Sequence, residues 1–298
     1  MTFAEKLKAL RKQTGMSQEK LAEKLNVSRQ AVTKWETDAG IPDVENLRAI
    51  SALFNISIDE LLSNEKGAKR ESDYLYESVT EYDIDEPKRF DMQFGGAKQL
   101  VLSGYDGEKI HVRLASNALP TLQSDFKVKI DDVKDRIDLD VDRRNGVTEA
   151  EAKDAVAIFV QLPQAYLKRV ELAAHAETVE IHALKCEDIE LDIKAPNVVL
   201  EDVVGAVEND CNLDMNVVCH SMEGEVAINQ LSSNSRICIP EGTVYRTIKK
   251  GIGTGISFEK NGKPAEPFDA QNADNIIELN GFKSELIICT FQNEEQQG

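Results

Sequence analysis

Long apolar runs are missing from these 298 residues. Without a stretch of about eighteen apolar residues, no transmembrane helix is expected. The first ten residues alternate charged and apolar side chains and lack the apolar core of a secretory signal. Together these absences point to a cytoplasmic protein with no membrane partner. Cysteine is scarce and scattered: Cys186, Cys211, Cys219, Cys238 and Cys289 are odd in number and contain no C-x-x-C pair. That pattern suits neither a disulfide framework nor a zinc module, and reduced, mostly buried thiols are expected.

Readable catalytic constellations are also lacking. No nucleophile–base arrangement stands out. The glycine cluster Gly251–Gly255 precedes Ile256-Ser257-Phe258-Glu259, which reads as extended, whereas a phosphate-binding loop needs a following helix. Asp138, Asp140 and Asp142 alternate with Ile137, Leu139 and Val141, the pattern of a strand with an acidic outer face rather than of a calcium loop. His220 beside Cys219 lacks a second pair at ligand spacing, and His175 or His182 could join it only if the chain stacked them together. No enzyme, metal or cofactor is expected.

Charge is present in excess but unevenly. Of a net charge of −18, residues 1–70 contribute 12 Lys/Arg against 10 Asp/Glu, leaving 23 against 43 for the rest. A polyanion would be tolerated by the first part and repelled by the second.

The first part reads as short helices. Thr2 and Glu5 have capping-box spacing ahead of the stripe Phe3, Leu7, Leu10, and Gly15 suits a C-cap. Ser17 caps a second helix with Met16 and Leu21 as its hydrophobic staple. Ser28 caps a third, with Val27 and Val32 as its staple. In that third helix Val32 and Trp35 share one face, while Arg29, Gln30, Thr33 and Lys34 share the other, and all four can contact base edges or phosphates. Asp43 caps a fourth helix carrying Leu47 and Ile50, and Ser57 with Glu60 opens a fifth ending near Leu62. The expected interior is Leu7, Leu10, Leu21, Ala22, Leu25, Val27, Val32, Trp35, Leu47, Ile50 and Leu61.

Arg11, Gly15-Met16-Ser17-Gln18, Leu21-Ala22, Leu25-Asn26-Val27-Ser28, Val32, Trp35-Glu36, Pro42, Leu47 and Ile50 lie at matching helix spacings. On these residues the segment 3–62 resembles the Cro/C1-type (xenobiotic-response-element type) helix-turn-helix repressor family. The resemblance implies that the third helix lies in the major groove. It places Gln18 near a phosphate, Arg29, Gln30 and Lys34 at base edges, Thr33 near thymine methyls or the backbone, and Ser28 on a phosphate. It makes Arg11 and Glu36 a structural salt bridge. Asn26 stands where many members carry Gly, and Asn tolerates the left-handed conformation the turn requires.

Residues 65–90 are polar and charged, with Gly67 and Pro87 as breakers, and read as a linker. Tyr74, Leu75, Tyr76 and Tyr82 are unusual in such a stretch and could dock on the second domain. From residue 91 short alternating runs replace helical ones. Residues 100–114 around Gly104–Gly107 suggest one hairpin and 126–141 another. Val170, Ile189, Val207 and Val226 then recur at steps of 19, 18 and 19 residues. Val179, Val198, Val217, Ile237 and Ile181, Leu200, Cys219, Ile239 keep the same rhythm. Two strands per repeat is the signature of a β-solenoid; a β-sandwich with evenly spaced strands is the alternative. Phe159–Pro163, then Val170-Glu171-Leu172, and the repeated Val-Glu-Ile or Ile-Glu-Leu strands also resemble a β-strand-repeat family labelled as candidate adhesins, a label that implies nothing here.

The expected architecture is therefore multidomain. A five-helix all-α head (1–64) and a linker (65–90) precede an all-β domain (91–298), expected as a β-solenoid. The expected function is transcription regulation, most simply as a repressor: a homodimer on a two-fold double-stranded operator, with the β domain sensing a protein or small-molecule effector or oligomerising. The alternatives are a DNA-tethered scaffold, or an antitoxin whose acidic domain neutralises a basic partner.

Overall fold

A computed structural model describes residues 3–13, 16–37, 40, 42, 44–54 and 74–292. The chain divides at Asp73/Tyr74 into a small helical unit and a large β-rich unit.

The helical unit contains α1 (Phe3–Gln13), α2 (Gln18–Leu25), α3 (Arg29–Glu36) and α4 (Val44–Phe54). The Ser17 hydroxyl accepts from the Lys20 amide at 3.1 Å, and the Ser28 hydroxyl from the Ala31 amide at 3.2 Å. Each satisfies one of the amides a helix start leaves unpaired. Leu7, Leu21, Ala22, Leu25, Val32, Trp35, Leu47 and Ile50 form the core, with Leu10 and Val27 packed against it. The expected caps at Thr2, Gly15 and Asp43, and the fifth helix with Leu61, lie outside the described residues.

The second unit begins earlier than expected. Residues 76–90, assigned to the linker, form β1 (Tyr76–Asp83) and the start of β2 (Lys88–Tyr105). β1 pairs antiparallel with β3 (Lys109–Ser116), Tyr76 opposite Ser116 and Asp83 opposite Lys109. The Tyr74 ring meets Phe159 edge-on at 5.9 Å, and Tyr76 and Tyr82 pack on the core, while Leu75 stays exposed. An edge strand can be this polar because only one of its faces needs to be apolar.

β4 (Phe126–Val133) and β5 (Arg136–Arg143) form the expected antiparallel hairpin, turning at Lys134 with φ +59°. The 100–114 hairpin does not form: β6 (Ala157–Pro163) lies between its two strands, parallel to β2 and antiparallel to β3. Two short helices, α5 (Leu122–Asp125) and α6 (Glu149–Ala155), connect these strands; Thr148 and Glu151 close a capping box on α6.

The remaining strands stack in parallel pairs. β7 (Leu167–His182) supplies both halves of one layer. β8 (Lys185–Lys194) and β9 (Asn197–Glu201) form the next, β10 (Val204–Cys211) and β11 (Asn216–Cys219) the next, and β12 (Glu223–Leu231) and β13 (Asn234–Pro240) follow. The repeating positions are register partners: Val170 with Ile189, Ile189 with Val207, Val207 with Val226. Val179, Val198, Val217 and Ile237 align the same way in the second ladder. Both rows point inward, and each residue is at most 6% exposed, so every layer is covered by its neighbours.

Sequence order then breaks. β14 (Arg246–Ile252) and β15 (Gly255–Lys260), the latter hairpinned to β16 (Lys263–Ala265), do not stack on β12 and β13. β17 (Ile276–Phe282) and β18 (Glu285–Phe291) slot between them. The register of β13 and β18 sets Cys238 opposite Cys289, and the two are joined as a disulfide with a Cα–Cα distance of 4.6 Å. This corrects the expectation of reduced thiols throughout: residues 51 apart in sequence become neighbours once β18 is inserted. Cys186, Cys211 and Cys219 are free, and burial raises the Cys219 thiol to about 12.

Candidate nucleic-acid interface

The turn between α2 and α3 depends on Asn26. It takes the left-handed conformation (φ 55°, ψ 42°), and its amide donates to the carbonyls of Ala22 and Glu23. Two capped helices are thereby joined by a short connection. Val32 and Trp35 anchor α3 inward, with Trp35 7% exposed. Ser28, Arg29, Gln30 and Lys34 are exposed on its other side.

Beneath that face lies a polar clamp. The Arg11 guanidinium donates to both Glu36 oxygens, from Nε at 2.6 Å and from Nη2 at 2.9 Å, and through Nη1 to the Met16 carbonyl at 2.8 Å. The two side chains are 11% and 2% exposed, so α1 and α3 are held by a nearly dry bidentate pair. Burial pushes the Glu36 carboxyl up, but the hydrogen bonds from Arg11 and Gln18 outweigh it and hold the group below the usual carboxylate range. The bond to Glu36 raises the Arg11 value in turn.

Gln18 and Thr33, placed on DNA by the resemblance, belong to the same clamp. Gln18 Nε2 donates to Glu36 at 2.8 Å, and the Thr33 hydroxyl lies 3.2 Å from Gln18 Oε1 and 3.0 Å from the Arg29 carbonyl. The predicted residues therefore fall into two groups. Ser28, Arg29, Gln30 and Lys34 project outward, whereas Gln18 and Thr33 link that surface to the Arg11–Glu36 pair. Sequence reasoning missed Glu19, whose carboxylate lies 3.1 Å from the Arg29 guanidinium on the exposed side. The i+10 spacing of Glu19 and Arg29 across a turn carries no periodic signal that could have revealed the pair.

Elsewhere the histidines occupy separate places. His220 stacks edge-on against Phe291, His175 bonds Glu149 and Lys153, and His182 bonds Glu180 and Glu201. Among the described residues no helix is long and apolar enough to cross a membrane.

Comparison with known proteins bears on the helical unit directly. The family described as "Helix-turn-helix" matches residues 7–61. The chain is 32% identical over 88 residues to the HTH-type transcriptional regulator YqaE of Bacillus subtilis, covering 30% of this chain and 72% of that protein. The chain belongs to the Cro/C1-type helix-turn-helix transcriptional regulators. It is also 52% identical over 66 residues to the HTH-type transcriptional activator BcrR of Enterococcus faecalis, 22% of this chain but only 32% of that protein. The chain thus spans about a third of BcrR's length. For the β-rich unit, a candidate cell adhesion protein from Clostridium sporogenes aligns over 72% of this chain and all of its own, at 13% identity and a TM-score of 0.37.

Proposed function

We propose that the protein is a sequence-specific DNA-binding transcription regulator whose α3 enters the major groove of a two-fold operator. Arg29, Gln30 and Lys34 read base edges, Thr33 lies near thymine methyls or the backbone, and Ser28 and Gln18 approach phosphates. The observation that carries this reading is the outward row Ser28, Arg29, Gln30, Lys34 mounted on a helix clamped from behind by Arg11 and Glu36. A base-reading helix gains specificity only if its side chains are held in register with the bases, and a buried bidentate pair supplies that rigidity. Residues 1–64 act as the reading head in the cytoplasm. The β-rich unit, read as a β-solenoid, serves dimerisation and sensing.

The acidity beyond residue 70 favours a second reading, in which the β-rich unit binds a basic protein and the head tethers it to DNA. Genome-wide footprinting of the full chain separates the two from failure. Discrete protected sites support the regulator. A regulator also responds in affinity when the β-rich unit, 74–298, is deleted, whereas a tether loses only partner recruitment. Absence of any protected site removes both.

A further inference from the structure

The outer face of β8, β10, β12, β17 and β14 shows an ordered gradient of chemistry. One register column runs Asp192, Asp210, Asn229, Asn280, Lys250, from acid through amide to base. Two residues further along the strands, Leu231, Phe282 and Ile252 are also register partners. They are 57%, 41% and 73% exposed, three of the seven large hydrophobic residues exposed among those described. An open groove of about 600 Å³, lined by Asp192, Lys194, Asp210, Asn229, Leu231 and Phe282 among others, runs over the face. Three large apolar side chains left in water in a single row are a surface awaiting a partner.

We infer that the partner is a second copy of this chain, packed face to face about a two-fold axis parallel to the strands between β12 and β17. Such an axis sets β12 on the partner's β17 and β10 on its β14. Asp210 of one copy then meets the partner's Lys250, Asn229 meets Asn280, and Leu231 meets Phe282, with each contact repeated in reverse. An isologous interface must be complementary to itself. The four central positions, Asp210, Asn229, Asn280 and Lys250, satisfy that condition, with Leu231 and Phe282 beside them. Lys250 also pairs with Glu278 of its own chain at 2.8 Å, which holds the ammonium on this face. The four strands so paired, about 4.8 Å apart and covered over about 20 Å of strand, present about 400 Å² per copy and about 800 Å² in all, below the roughly 1,000 Å² of a stable interface, so the contact is a weak one that assembles as concentration rises.

This inference rests on the two-fold operator reading and names the surface that serves it. It is tested without DNA, so its failure leaves the footprinting result standing. The experiment is sedimentation equilibrium of the full chain across a concentration series. The wild type passes from monomer to dimer along the series, and Phe282→Glu raises the dimer dissociation constant at least about tenfold while circular dichroism shows the β signal intact. Asp210→Lys and Lys250→Asp each weaken the dimer, and the two together restore it, an outcome that misfolding cannot produce. A wild type that stays monomeric at every concentration, or a double swap no tighter than either single variant, overturns the assignment.

Discussion

Replacing Glu36 by Gln keeps the shape of the side chain and removes its charge, and so tests the clamp behind α3. Glu36 accepts three hydrogen bonds, two from Arg11 and one from Gln18, with its side chain 2% exposed. A hydrogen bond to a charged group contributes about 1.5–3 kcal/mol, and breaking one side of a buried pair costs about 3–5 kcal/mol. Arg11 keeps its bond to the Met16 carbonyl and is 11% exposed, so it can recover part of its hydration. The expected loss is therefore about 2–3 kcal/mol. A helical unit of this size is stable by only a few kcal/mol, about 0.05–0.15 per residue, so the variant should sit close to unfolding at 25 °C. Trp35 is the sole tryptophan and lies in the helical core, so its fluorescence in urea reports this unit without interference from the strands. The pH dependence supplies an independent arm. A carboxyl whose folded value is depressed contributes stability that is complete above its unfolded value of about 4.3 and lost as pH falls through the folded value. The wild type should lose stability on acidification through that window, and Glu36→Gln should lose correspondingly less. A urea midpoint within error of wild type at pH 7, or an unchanged acid profile, would refute the clamp.

Two further outcomes follow from the stacked strands. A Cβ on Gly251, at φ +95°, would lie 1.8 Å from the Gly281 carbonyl oxygen, whereas one on Gly255 meets nothing nearer than 3.9 Å. Gly251→Ala should destabilise the β-rich unit by at least about 2 kcal/mol and Gly255→Ala by far less, as read from far-ultraviolet circular dichroism melts; equal effects would place β14 elsewhere. The Cys238–Cys289 bridge closes a loop of 51 residues, for which restriction of the unfolded chain gives up to about 4 kcal/mol. Dithiothreitol should lower the β-rich unit's stability by about 2–4 kcal/mol and leave the Trp35 transition in place, and no shift would remove the bridge from the account.

Much of this molecule is legible where local rules govern. Ser17 and Ser28 announce their helices because a cap needs only its own first turn, and Asn26 announces its turn because few residues adopt a positive φ. The steps Val170–Ile189–Val207–Val226 reveal register because each layer contacts the one before it in sequence. Legibility ends where the chain departs from sequence order. β17 and β18 enter the stack ahead of β14 and β15, so neither the insertion nor the Cys238–Cys289 neighbourhood could be read from spacing. β1 was hidden for another reason: its alternation of Tyr, Glu, Val and Thr resembles a solvated linker until β3 supplies an edge. At the site, the exposed row on α3 is visible from helical periodicity. The link from Gln18 to Glu36 depends on two side chains meeting across helices, which no local pattern encodes.

Whether α3 reads sequence is decided at Gln30. Gln30 is exposed on α3, where the proposed reading sets it against a base edge. At one fixed salt concentration, the affinity of wild type and Gln30→Ala should be compared on a footprinted site and on a scrambled duplex. Gln30→Ala should lose about 1–3 kcal/mol on the site with non-specific binding nearly unchanged. Equal loss on both duplexes, or none on either, would contradict it.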